Sequence, residues 1–133
     1  MYLLDTNIIS YFVKGNKNVI KKITQIDLKN LFSSVLVYGE CFAGLKTLEL
    51  KNKYYPLYTR FFENIELLDF DFYSALEYVS QKQRLGNSGK IIETADTIIA
   101  CTALANDLIL VTNNTKHFER IEGLELQDWT LEE

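Results

Sequence analysis

Apolar residues fall in short unbroken runs along this chain, and between the runs they recur every three or four positions. The unbroken runs are YLLD at 2–5, LFSS at 31–34, IELLDF at 65–70, LILVT at 108–112 and LELQDW at 124–129. Such runs read as short buried strands. Helical spacing covers TNIISYFV, NVIKKITQI, VLVYGECFAGLKTLEL, KNKYYPLYTRFFENI, DFYSALEYVSQKQRLG and ETADTIIACTALAND. Gly15–Asn16 separates the first two helices, and Pro56 falls near a helix start or a break. Asp71 caps the fifth helix, whose Ala75, Leu76, Val79 and Leu85 line one face. GNSGK at 86–90 reads as a flexible loop, and NNTKHFERI at 113–121 as a loop holding one helical turn.

The expected order is β-αα-β-αα-β-αα-β-α-β. Short apolar strands alternating with helices predict an α/β sandwich, with a parallel sheet of four or five strands covered on both faces. No linker, repeat or low-complexity segment interrupts the chain, so residues 1–133 are expected to form one domain.

Composition narrows the class. Hydrophobic residues make up 47% and charged residues 24% of 133 positions, the balance of a globular protein that folds without staples. No run approaches the roughly 20 apolar residues of a membrane span, and the first residues lack a signal-peptide pattern. Cys41 and Cys101 stand far apart with no metal spacing and read as reduced core thiols. A cytoplasmic protein is expected. The net charge of −4 argues against bulk coating of nucleic acid. Yet residues 1–60 hold nine basic and four acidic side chains, and residues 61–133 hold five and fourteen. A basic half guiding a phosphate backbone and a chance imbalance of solvated faces both fit that split.

Three carboxylates lie inside apolar segments: Asp5 at a strand end, Glu40 in mid-helix, and Asp96 at the start of ADTIIACTALA. Singly, Asp5 reads as a helix cap and Asp96 as a partner of the helix dipole. Glu40 resists that treatment, since Lys46 is too distant to pair with it. Together they favour a shared cation site at one sheet edge. Carboxylates without His or Cys suit Mg²⁺, with Mn²⁺ as a substitute. A Mg²⁺ so held polarises phosphoryl oxygens and lowers the pKa of water. His117 is not needed for this set and reads as a loop residue.

The blocks YLLDTNIIS, SSVLVYGECFAGL, ADTIIACTALANDLILVTNNTKHFERI and GLELQDW, in this order, resemble a PIN domain of the VapC type from end to end. VapC proteins are ribonuclease toxins of bacterial toxin–antitoxin pairs. The resemblance implies a Rossmann-like α/β/α sandwich and a metal-dependent endoribonuclease that cuts single-stranded RNA, initiator tRNA being one plausible target. It places the metal-binding and catalytic carboxylates on Asp5, Glu40 and Asp96, with Asn7 and Thr112 orienting them. Asn114 stands near the family's fourth acidic position. Its amide oxygen can ligate but adds no charge, which weakens the case for a stable second metal. The resemblance further implies a homodimer and a VapB-type antitoxin whose C-terminal tail, often through an Arg, lies over the acidic groove.

Lys14, Lys46, Lys90 and Lys116 are candidates for tracking RNA, and Tyr11, Phe12 and Tyr38 for stacking on bases. KYYPLYTRFF is a candidate interface. The competing readings are a metal- or nucleotide-binding module without turnover, and a catalytically weak or inactive PIN domain that binds RNA or protein. A dinucleotide-binding fold is disfavoured because the first strand runs into DTNIIS, with no glycine-rich loop.

Overall fold

A computed structural model describes residues 1–88 and 92–132. The described elements are β1 (Tyr2–Leu4), α1 (Thr6–Val13), α2 (Lys17–Thr24), β2 (Leu31–Ser34), α3 (Val35–Ala43), α4 (Leu48–Glu63), β3 (Glu66–Leu68), α5 (Phe72–Ser88), α6 (Thr94–Ala105), β4 (Ile109–Val111), α7 (Thr115–Phe118) and β5 (Leu126–Gln127). The order is the one the apolar pattern predicts. All four strand pairings are parallel, and the sheet runs β3-β2-β1-β4-β5.

β1 is central, and its register sets the rest. Leu4 pairs with Val111, and the Asp5 N–H donates to the Val111 carbonyl at 2.9 Å. Leu3, Leu4, Leu110 and Val111 are all fully buried, so both faces of these middle strands are covered. Ile8 and Ile9 of α1, Val37 of α3 and Ile99 of α6 pack against them without exposure. At the far edge Trp129 is buried edge-on to Tyr2, with ring centroids 5.0 Å apart. Its indole N–H donates to Gln127 Oε1 at 2.8 Å, which ties the turn after β5 to that strand.

Three details differ from the sequence expectation. The helix read across 35–50 is two helices. α3 ends at Ala43, and the Thr47 hydroxyl starts α4 by accepting the Leu50 N–H at 3.1 Å. Pro56 therefore lies inside α4 rather than near its start; it sits on the exposed side. Second, α5 continues through Gly86–Ser88, into the stretch read as a loop.

The third difference concerns the face α5 buries. Leu85 is buried as expected, but Leu76 and Val79 are 52% and 51% exposed. The inward positions are taken by Ser74 and Gln81. Both are satisfied there: Ser74 donates to the capping Asp71, and Gln81 exchanges two hydrogen bonds with the Glu122 backbone. A buried polar group that keeps its partners is tolerated, which leaves the apolar stripe of α5 facing out. Cys41 and Cys101 are buried and unpaired, and burial raises their thiols to about 12 and about 11.

Because β4 carries the central pairing, Leu110→Ala is expected to destabilise the chain by about 2–5 kcal/mol. Urea unfolding measures this directly, and a loss below about 1 kcal/mol would contradict the packing described.

Candidate active site

From β1 the chain builds outward through β2 to β3, then crosses to β4 on the other side of β1. Where connections diverge in this way, open parallel sheets leave a crevice at the carboxyl ends of the strands. Asp5 and Thr112 immediately follow β1 and β4 and stand side by side in register. Glu40 comes from α3, the helix after β2, and Asp96 from the first turn of α6, the helix before β4.

Asp5 is only 5% exposed. Its Oδ1 accepts the Thr6 backbone N–H at 2.8 Å, so it does cap α1. Its Oδ2 accepts the Thr112 hydroxyl at 2.8 Å and, more weakly, the Asn7 amide at 3.4 Å. The Asn7 side-chain oxygen in turn accepts the Asn113 backbone N–H at 3.0 Å. Asn7 and Thr112 thus hold the first carboxylate from two sides. Thr6 does a second job: its hydroxyl donates to Glu40 Oε1 at 2.6 Å and links α1 to α3. The third carboxylate has a different partner, with Asp96 Oδ2 lying 2.9 Å from His117 Nε2 on α7.

The groups holding Asp5 are neutral, and the electrostatics follow from that. Burial raises the Asp5 carboxyl from 3.8 to about 6. The Thr112 hydroxyl and Thr6 N–H pull it down, while the charges of Asp96 and Glu40 push it further up. Asp5 therefore feels both other carboxylates. Asp96 is also raised, chiefly by burial; the close contact with His117 opposes that rise and Glu93 adds to it. Among the described residues, no three Asp, Glu, His or Cys side chains as placed close around one ion. Glu40 is turned to Thr6 and Asp96 to His117. The donor set is nevertheless the right kind for a hard divalent cation, being oxygen-rich, acidic and partly desolvated.

The other expected residues fall less tightly. Asn114 joins through its backbone N–H, which donates to Thr112 Oγ1 at 3.1 Å; its side chain is exposed. Lys116 is exposed and adjoins His117, and Lys46 is exposed in the turn between α3 and α4. Lys14 ends α1, roughly 13 Å along the helix from Asp5, over the Tyr54 ring. Lys90 lies outside the described residues. Tyr11 and Tyr38 are partly exposed, whereas Phe12 packs on the core and on Phe61.

Two residues at the site were not read from sequence. Thr6 passed as part of a helix start, although its backbone N–H and its hydroxyl join two of the three carboxylates, Asp5 and Glu40. His117 was set aside as a loop residue, but it lies on α7 against Asp96. A lone histidine beside an exposed lysine carries no periodic signal, and only the β4 register brings it to α6.

Comparison with known proteins places the fold. Residues 2–124 match the PIN domain family. The chain belongs to the PIN-domain family, in its VapC branch. This PIN domain is 34% identical to ribonuclease VapC1 of Haemophilus influenzae (strain R2866), over 98% of both chains. It is 27% identical to the tRNA(fMet)-specific endonuclease VapC of Shigella flexneri, over 97% of this chain and 98% of that one. Its fold superposes on VapBC2 of Rickettsia felis, solved bound to a DNA fragment from its promoter, with a TM-score of 0.86, 30% identity, and 96% and 98% of the two chains covered. The PIN fold and its three-layer architecture are thereby established.

The raised Asp5 carboxyl has a consequence for stability. Folding favours the protonated form, so the metal-free protein loses stability as pH rises from about 4 to about 6, and the loss is complete above that. Asp5→Asn removes the charge but also one of the two acceptor oxygens, leaving a gain of up to about 3 kcal/mol at pH 7.5 in EDTA that shrinks as pH falls towards 4. Thermal unfolding at the two pH values reads it. A variant less stable than wild type at pH 7.5 would contradict the electrostatic account.

Proposed function

We propose that this PIN domain is an endoribonuclease, the toxin of a toxin–antitoxin pair, which hydrolyses RNA phosphodiesters with Mg²⁺, or Mn²⁺ in its place, held by Asp5, Glu40 and Asp96. The observation that carries the proposal is Asp5 itself: a carboxylate buried at a strand end, held by neutral donors and raised further by two neighbouring carboxylates. Such an arrangement is costly without a cation and well suited to one. When bound, the ion polarises a phosphoryl oxygen and lowers the pKa of a water.

The chain's own residues do the rest. Thr112, Asn7 and Thr6 fix the oxygens of Asp5, and Thr6 keeps Glu40 on the same side. Asn114 adds no charge, in keeping with a single ion. Lys116, exposed beside His117, and Lys46, exposed in the turn after α3, can meet RNA phosphates, and Tyr11 and Tyr38 offer rings to bases. The names of the VapC relatives support ribonuclease action. The name of the Shigella flexneri relative makes initiator tRNA the first substrate to try.

Purified protein is expected to cut RNA at discrete sites in Mg²⁺, leaving 5′-phosphate and 3′-hydroxyl ends. EDTA, Asp5→Asn and Asp96→Asn are each expected to lower the rate at least about 100-fold. Ends mapped by sequencing test this. Folded wild-type protein that binds Mn²⁺ and cuts nothing would leave the alternative, an inactive PIN domain that binds RNA or protein.

The structural neighbour from Rickettsia felis is a VapBC complex, and that supports a VapB-type antitoxin as partner. An apolar groove of about 460 Å³ between α1, α2 and α4 is the seat proposed for it, floored by Phe12, Val13, Ile23, Leu57, Phe61 and Ile65. A second copy of the chain takes a different face: Phe72, Leu76 and Val79 form an exposed stripe at helical spacing on α5. Leu57→Arg is expected to weaken inhibition by the antitoxin more than 10-fold while the free protein still cuts RNA, because Leu57 lines the groove and belongs to none of the elements that carry the carboxylates. Titration of cleavage with antitoxin measures it. Unchanged inhibition would remove the groove from the interface.

A further inference from the structure

The contact between His117 and Asp96 belongs to neither the core nor the groove. His117 is 24% and Asp96 27% exposed at the side chain, and their Nε2–Oδ2 separation is 2.9 Å, an ion-pair contact in which the buried Nε2 is not in line for a hydrogen bond. The two residues come from different elements, and α7 is built to hold the histidine where it is. Phe118, next in the chain, is 1% exposed and pins the helix to the core. The His117 ring stands edge-on to it, with centroids 5.7 Å apart. The His117 backbone N–H donates to the Asn114 carbonyl at 3.1 Å, and the Asn114 N–H donates to Thr112 Oγ1. That same hydroxyl donates to Asp5 Oδ2. One segment of seven residues, 112–118, therefore grips both aspartates of the site: Asp5 at its start through Thr112, and Asp96 near its end through His117.

We propose that His117 is a positioning residue for Asp96, its ring edge held against Oδ2 so that Oδ1 is the oxygen presented to the cation. The inference rests on the metal site proposed above and deepens it. The contact does not require a charged ring: a neutral imidazole carrying its proton on Nε2 can turn into line and donate to Oδ2, though more weakly than the imidazolium. Residues that orient a ligating carboxylate act through the ion's affinity, and losing one costs about 10–100-fold in affinity or activity. Asp5 needs no such device because the sheet register and the start of α1 already fix it. Asp96, on the first turn of a helix with no side-chain cap bond from Glu93, has no comparable constraint from its own element.

The test compares wild type, His117→Ala and His117→Gln, all in the full chain. Mn²⁺ affinity is read by the spin-resonance signal of the free ion, and RNA cleavage is followed across Mn²⁺ concentration. His117→Ala is expected to bind Mn²⁺ about 10-fold or more weakly, with cleavage largely recovered at saturating metal and the KM for RNA unchanged. His117→Gln, whose amide N–H can donate to the same carboxylate, is expected to restore most of the affinity. Unfolding in EDTA identifies any loss that comes from folding alone, and a drop in affinity that merely follows such a loss would overturn the role. Wild-type affinity in His117→Ala would also overturn it while leaving the proposed function intact. A nitrogen coupling from the imidazole on bound Mn²⁺ would make His117 a ligand and overturn the positioning role. Wild type that neither binds Mn²⁺ nor cuts RNA would bring down both proposals, a result distinct from failure of the variants alone.

Discussion

Everything at this sheet edge depends on one pairing, Leu4 against Val111. It fixes Asp5 beside Thr112 and gives the carboxylate a hydroxyl donor from the neighbouring strand. A shift of one residue would turn every side chain of β1 to the other face, and both faces are filled with aliphatic groups that do not tolerate a charge. The register is thus protected by burial on both sides. A polar group becomes possible only at the point where the strand ends. The same position starts α1, so the Asp5 carboxyl also meets a backbone N–H. Strand end, helix start and topological switch coincide at one residue.

From there the site grows by short links. Thr6 joins Asp5 to Glu40, Asn7 joins Asp5 to the segment after β4, and that segment carries His117 to Asp96. These links hold three acidic groups near one another without a cationic side chain on Asp5. The cost shows in the raised Asp5 carboxyl. A protein selected only for stability would place an amide there. A site that must take up a divalent cation needs the charge.

The order of elements was legible in the chain because doubly covered parallel strands must be unbroken apolar runs, and the helices between them are amphipathic. Asp5, Glu40 and Asp96 were legible for the converse reason, each being a charge in an apolar segment. The burial of α5 was not. Leu76 and Val79 look like core, but Ser74 and Gln81 take the inner face because Asp71 and the Glu122 backbone satisfy them. Apolar periodicity cannot see a partner 41 residues away. His117 escaped notice in the same way, since its meaning depends on α7 lying against α6. The break between α3 and α4 was hidden by apolar residues on both sides of Gly44, and it took the Thr47 cap to mark it.

The central claim is that Asp5, Glu40 and Asp96 serve one divalent ion. The most direct test is a crystal of the protein grown with Mn²⁺, with the ion located by its anomalous scattering. The account predicts a single strong peak within about 2.0–2.3 Å of carboxylate oxygens from these residues, with Glu40 turned away from Thr6 towards the ion. A crystal at millimolar Mn²⁺ with no peak at this sheet edge, or with a peak that only one of the three carboxylates touches, would contradict it.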